Sequence, residues 1–188
     1  MSPDVPQATS HIHPSHPSGW IVRCAPLVPQ GARVLDLAAG GGRHARFLLE
    51  RGAKLTCVDR DVSLLADLAG QAEIIAADLE DGQPWPLAGR QFDAVVVVNY
   101  LFRPLFPALL DAVAPGGVLI YETYAAGNER YGRPRNPEHL LRPGELLSLV
   151  ANRLQVAVYE AGTDYRPAGP RVLQRICAVA GEAPADLP

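Results

Sequence analysis

Short apolar runs alternate along the chain with glycine- and proline-rich breaks, and the period of each run predicts an element. Val34, Leu35 and Leu37 suit a strand covered on both faces. Gly40 to Gly42 form a turn, and Ala45, Leu48 and Leu49 then recur at helical spacing, so a helix opens at about Arg43. Residues 55–59 predict a second strand ending on Asp59, 62–69 a helix and 72–77 a third strand. The clearest strand is 92–98, with an unbroken β-branched run from Val95 to Val98. A helix is expected over 104–113, its prolines confined to the first turn, where a missing N–H does little harm. The turn Pro115-Gly116-Gly117 leads into a fifth strand, 118–123, and a polar loop runs from 124 to 142. A helix at 143–151 and two strands at 154–160 and 171–180 complete the chain, with a short helix over 19–28 ahead of the first strand.

Strands alternating with helices predict an α/β fold: a Rossmann-like, doubly wound, mostly parallel seven-stranded sheet with a C-terminal antiparallel hairpin. At 188 residues, one domain with a sizeable core is the default. A formal net charge of −3 leaves no broad basic surface, which argues against a nucleic-acid partner. Cys24, Cys57 and Cys177 are odd in number and far apart, so they form neither a metal motif nor a disulfide framework. His11, His13 and His16 lack neighbouring cysteine or acidic ligands and read as part of a polar tail; no metal site is expected. No apolar run approaches the roughly 20 residues needed to span a bilayer, and no charged-then-apolar leader opens the chain. The expectation is a cytoplasmic protein with no membrane partner.

Chemistry enters at the glycine turn. Gly40 to Gly42 let a ligand approach the backbone closely, and the free N–H groups of the following helix favour a polar or anionic group. Asp59 stands where an acid at the tip of the second strand bonds ribose hydroxyls, which points to an adenosine-containing cofactor. Gly40-x-Gly42-x-x-Ala45 fits the relaxed dinucleotide fingerprint, so a dinucleotide and S-adenosylmethionine both compete for the site. Asp36 inside the first strand, Asp78 after the third, and the Pro115-Gly116-Gly117 turn favour the second.

Together these residues resemble the class I S-adenosylmethionine-dependent methyltransferase family. That family's first motif opens Asp-x-Gly-x-Gly-x-Gly; here the segment is Asp36-Leu37-Ala38-Ala39-Gly40-Gly41-Gly42, with Ala38 in place of the first glycine. The resemblance runs from about Trp20 to Ala180 and implies a methyltransferase domain over 19–181, between a flexible N-terminal segment, 1–18, and a C-terminal tail, 182–188. It implies that Gly40 and Gly42 face the methionine part of the cofactor, Asp59 the ribose, Asp78 and Leu79 the adenine, and Asn99 the methionine end. Asp36, Ala38 and Arg60 complete the expected cofactor set. Local backbone capping is the plainer role open to Asp36, Asp78 and Asn99. Trp85, between two prolines, is either a packed loop residue or a wall near the adenine.

The acceptor side is read from the loop after the fifth strand. It carries Arg130, Arg133 and Arg135 with Tyr124, Tyr131 and flexible glycines, and arginine forks suit carboxylate or other oxyanions. Tyr124, Arg130 and Arg133 are the candidates for a lid, with Tyr100, Arg103, Tyr121 and Glu122 as the facing wall; the plainer reading is a solvated loop pairing with Glu129 and Glu138. This loop and Arg142-Pro143-Gly144-Glu145 resemble the tellurite-resistance and thiopurine methyltransferase-like branch, which implies small thiol or chalcogen acceptors. The sequence after the fourth strand, Asn99-Tyr100-Leu101-Phe102, lacks the Asn-Pro-Pro-Tyr signature of amine methylation. A small-molecule acceptor is thus the expected partner. A non-catalytic cofactor-binding sensor and a methyltransferase of protein or RNA are the competing readings, and no catalytic base is identified.

Overall fold

The computed structural model describes residues 16–182 and 186–188, so the expectations for His11, His13 and most of the N-terminal segment lie outside the described residues. A seven-stranded sheet has the order β3-β2-β1-β4-β5-β7-β6. Its strands are β1 (Arg33–Leu37), β2 (Lys54–Asp59), β3 (Glu73–Ala76), β4 (Phe92–Val98), β5 (Val113–Tyr124), β6 (Gln155–Asp164) and β7 (Arg171–Val179). β3, β2, β1, β4 and β5 pair in parallel, while β7 runs antiparallel to both β5 and β6. The expected architecture, including the closing hairpin, is therefore observed.

Alternation along the strands divides the core. Val34, Ala94, Val96 and Ile120 face one layer with α1 (Gly19–Cys24) and α2 (Arg43–Glu50). Leu35, Leu37, Val95, Val97 and Leu119 face the other, with α3 (Phe106–Asp111) and α4 (Glu145–Val150). Both faces of β1 and β4 are buried, which is why these strands read as continuous apolar runs. Buried Asp36 belongs to the α2 face by this alternation, and that fixes its later role.

Three expectations shift. The 62–69 helix is a 3₁₀ segment, Ser63–Leu68. Asp61 accepts the Ser63 N–H at its start, and Gly70 at φ +82° follows its end, so no full α-turns develop. The 104–113 helix is split into a 3₁₀ turn, Arg103–Leu105, and α3, while Val113 already belongs to β5. The Pro115-Gly116-Gly117 turn is not a lead-in but an irregularity within β5, where the register against β4 shifts between Phe92 and Ala94.

Gly117 makes this irregularity possible. A Cβ there would lie 2.8 Å from the Ala114 carbonyl oxygen, 3.0 Å from that of Phe92 and 3.1 Å from that of Asp93. All three are backbone atoms and cannot swing aside. Gly117→Ala should therefore cost about 2 kcal/mol, read as a lower urea midpoint at unchanged slope. An unchanged midpoint would mean that the β4–β5 junction yields freely.

Candidate active site

Strand order reverses between β1 and β4, and ligands of open α/β sheets bind at the carboxyl edge beside such a reversal. A cavity of about 510 Å³ lies there, lined by Ala38, Asp59, Arg60, Ala77, Asp78, Leu79, Glu80, Asn99, Tyr100 and His139. A smaller one of about 190 Å³ shares Ala38 and Asn99 and is lined further by Ala39, Gly40, Gly41, Arg43, His44 and Val98. Six of the cofactor candidates from the sequence thus line the larger cavity, and Gly40 lines the smaller.

Asp59 joins two backbone segments. Its Oδ2 accepts the Gly40 N–H at 2.7 Å and its Oδ1 the Asp61 N–H at 3.0 Å. The tip of β2 therefore fixes the turn after β1, and each carboxylate oxygen keeps lone-pair capacity for a ligand. Asp78 makes a comparable local bond to the Glu80 N–H at 3.0 Å.

Ala38 and Asn99 lie at φ +55° and +58°, the left-handed region. Asparagine tolerates that region and alanine does so at a cost. The residue that departs from the family motif thus still adopts the backbone a glycine would take. Gly42 and Asp36 line neither cavity. Gly42 packs against 3₁₀ segment 63–68: a Cβ on it would meet Leu65 Cδ2 at 2.6 Å.

Asp36 lies behind the turn, 1% exposed, with Oδ2 lacking a hydrogen-bond partner. Burial raises its pKa to about 7, opposed by the Ala45 backbone N–H and by Arg43. His44, 4% exposed, has an unpartnered Nε2, and burial lowers its pKa to about 3, so it is neutral at physiological pH. The Tyr100 hydroxyl is buried without a well-aligned partner, and burial, followed by Glu80, pushes its pKa well up. Of these three residues, Tyr100 lines the larger cavity and His44 the smaller, while Asp36 lies behind the turn.

The acceptor-side candidates divide. Tyr100 lines the larger cavity. Tyr121 is 1% exposed, within the core, and its hydroxyl donates to the Tyr100 carbonyl at 2.9 Å; it supports the wall rather than facing an acceptor. Arg103 is also corrected. It forms a bidentate pair with Glu145 at 2.6 and 3.0 Å and donates to the carbonyls of Glu138 at 2.8 Å and Leu140 at 2.9 Å. Those carbonyls flank His139, so Arg103 clamps the turn that carries His139 to the cavity. Tyr124 is half-buried, while Arg130 and Arg133 are exposed and line neither cavity. The plainer reading also needs amending. Glu129 accepts the Gly127 N–H, and Glu138 pairs with Arg103 at 3.7 Å rather than with the loop arginines. Trp85 lines a neighbouring cavity of about 320 Å³ with Asp78 and Leu79.

Glu80, Arg43, His44 and His139 were missed from sequence. His139 follows Asn136, whose side chain accepts the Glu138 N–H and starts a 3₁₀ turn; that cap was the available signal. Glu122, named for the facing wall, is fully buried. It accepts the Ser18 hydroxyl at 2.8 Å, and the Arg175 Nε lies 2.8 Å away but out of line for a hydrogen bond. Among the described residues no group of three His, Cys, Asp or Glu side chains could hold a metal ion, and no helix is long and apolar enough to cross a membrane.

Residues 34–117 match the family described as a methyltransferase domain. The matched stretch is just under half of the chain and is similar to methyltransferase domains. It is 33% identical over 106 residues to a malonyl-[acyl-carrier protein] O-methyltransferase of Pseudescherichia vulneris, a match covering 52% of the chain and 41% of that relative. The chain spans well under half the length of the curated relatives it matches. Its fold is similar to that of TehB from Haemophilus influenzae, with a TM-score of 0.70 at 16% identity, over 92% of this chain and 63% of that one. It is also similar to the 1,6-didemethyltoxoflavin-N1-methyltransferase of Burkholderia thailandensis, whose structure holds S-adenosylhomocysteine, with a TM-score of 0.63 at 18% identity over 87% and 76% of the two chains. At these identities the structural likeness is one of fold.

Two outcomes test this description. Ala38→Gly should relieve left-handed strain and raise stability by about 0.5–1 kcal/mol, seen as a higher urea midpoint; a lower midpoint would show that Ala38 is unstrained. Asp36 has a folded pKa above its unfolded value, so its favourable contribution is full below about pH 4 and is lost as pH rises through about 7. Asp36→Asn should flatten the stability profile between those limits and gain at most about 4 kcal/mol over wild type at pH 8. Parallel pH profiles of the two proteins would contradict the raised pKa.

Proposed function

We propose that the protein transfers a methyl group from S-adenosylmethionine to a small-molecule acceptor. The observation that carries this reading is the cavity uniting Asp59, Asp78 and Asn99 with Tyr100 and His139, next to the glycine turn. On this reading Asp59 accepts the ribose hydroxyls, Asp78 and Leu79 meet the adenine, and Ala38, Gly40 and Asn99 border the methionine end. The cofactor supplies an electrophilic methyl on a cationic sulfonium, and nearby carboxylates suit that charge. Tyr100 and His139, the latter held by the Arg103 clamp, border the remaining space where an acceptor would be aligned. Alignment in a closed pocket supplies much of the acceleration of such a displacement. The larger cavity suits a small acceptor beside the cofactor, and thiols remain the first class to screen.

Calorimetry with S-adenosylhomocysteine should show binding to the wild type. Asp59→Ala should lose about one to two powers of ten in affinity, as expected for a charge-assisted hydrogen bond. Unchanged affinity would remove the ribose assignment alone. Labelled S-adenosylmethionine, presented with small thiols, chalcogen oxyanions, carboxylates and amines, should label one class. Cofactor binding without transfer to any small or macromolecular acceptor would favour a sensor instead.

A further inference from the structure

The larger cavity is walled from both sides of the strand reversal. Asp59 and Arg60 at the tip of β2, with Asp78 and Glu80 beyond β3, line it from one side. His139 lines it from the other, on a segment bonded through Leu141 to Tyr124 of β5 and through Arg103 to the chain after β4. This exposed three-residue turn is fastened firmly. Arg103 donates to the carbonyls on either side of His139, its fork closes on Glu145, and Glu145 also accepts the Arg142 N–H at 2.7 Å. The Arg103 and Glu145 side chains are only 22% and 15% exposed, so the clamp is better shielded than a surface ion pair. The imidazole itself is left open. Among the described residues none binds its ring nitrogens, and His139 is exposed at the cavity's edge. A neutral imidazole always keeps one nitrogen as an acceptor. The other titratable groups of the cavity suit a proton acceptor less well. Asp59 is engaged by the Gly40 and Asp61 N–H groups, and Asp78 by that of Glu80. Burial, followed by Glu80, holds the Tyr100 hydroxyl protonated. Arg60 is already a cation, and Glu80 stands on the β3 side.

We propose that His139 is the general base of methyl transfer, and that the acceptor is a small molecule whose nucleophile carries a proton, an S–H or an O–H. The proposal rests on the methyltransferase reading. On that reading the nucleoside end of the cofactor lies by Asp59 and Asp78 and its methyl near Ala38 and Asn99, so the acceptor lies between that methyl and His139. As the acceptor's sulfur or oxygen bonds the methyl carbon, the cofactor's sulfur keeps the electron pair of the bond that breaks. The acceptor's proton passes to the open imidazole nitrogen. The imidazolium then gives it up to water at the exposed edge, so each turnover releases one proton. The charges facing the ring are Asp59, Arg60, Asp78 and Glu80 across the cavity, and Arg103, Glu138 and Glu145 at its own turn. An acceptor that is already an anion, such as a carboxylate or a chalcogen oxyanion, needs no base.

The test is methyl transfer from labelled S-adenosylmethionine, on the full chain, to benzyl thiol and phenol, which hold their proton near neutral pH, and to thiophenol, which has largely lost it. Wild type should methylate benzyl thiol or phenol, with kcat/KM rising on one ionisation below the acceptor's own. His139→Gln should remove that ionisation and lower kcat/KM at least about a hundredfold. With thiophenol the same variant should lose less than about threefold, because no proton has to leave. Affinity for S-adenosylhomocysteine, read by calorimetry, should stay within about twofold, which also shows that the variant folds. In His139→Ala, added imidazole should restore part of the lost rate with benzyl thiol or phenol. Equal losses on all three probes without imidazole rescue overturn the proposal, by giving His139 a role in binding or packing alone. Unchanged kcat/KM in His139→Gln overturns it, as does an ionisation removed by Glu80→Gln and kept by His139→Gln. Wild type that binds S-adenosylhomocysteine and methylates only carboxylates or oxyanions also overturns it. If wild type fails to bind S-adenosylhomocysteine, the methyltransferase reading itself falls, before any acceptor is added, and this proposal falls with it.

Discussion

One carboxylate holds the carboxyl edge of the sheet together. Asp59 accepts the N–H of Gly40 across from its own strand and that of Asp61 within it, so the β1 turn and the β2 tip form one rigid rim. The Ala39 N–H, bonded to the Val58 carbonyl at 3.1 Å, repeats the link one residue earlier. With the turn held there, α2 starts directly over β1, and the Ala45 N–H comes to lie against Asp36 beneath it. The cavities, the neutral histidine and the raised aspartate all follow from this placement.

On the opposite side of the reversal, order comes from buried charge. Glu122, fully buried on β5, gathers the Ser18 hydroxyl from the start of α1 and Arg175 from β7. Such a cluster is costly to assemble, and half-removing it would cost more than it contributes intact. Its value lies in fixing the start of α1 and the edge hairpin to β5. Arg103 does similar work for the turn at 137–139, and both devices use arginines that otherwise resemble ligand-binding candidates.

The legible part of the fold was its local part. The β4 run, the glycine turn and the apolar stripe of α2 each follow from near-neighbour periodicity, and all three are where the pattern places them. The residues lining the cavity at the carboxyl edge could be picked out because they sit at strand ends, where sequence position and spatial position coincide. Arg103 and Tyr121 could not be read this way. Their fates are set by partners far along the chain, Glu145 and Tyr100, and no spacing rule connects them. The 3₁₀ segments were misjudged because an apolar pattern does not reveal whether a crossover is long enough to complete α-turns. His139 lacked periodic context altogether.

The polar loop after β5 is tied off at its own neck. Leu141 donates to the Tyr124 carbonyl at 2.9 Å and accepts from the Ala126 N–H at 2.9 Å, so the two ends of the segment meet beside the sheet. Closure entropy grows only slowly with the length of such a loop once its ends are fixed. Within the segment, buried Asn128 still accepts the Val172 N–H of β7 at 3.1 Å, whereas Glu129, Arg130, Tyr131, Arg133, Arg135 and Asn136 are exposed. A segment closed at its neck in this way can vary at its exposed positions, 129–131, 133, 135 and 136, while the cavity-lining carboxyl edge, built from other strands, stays as it is.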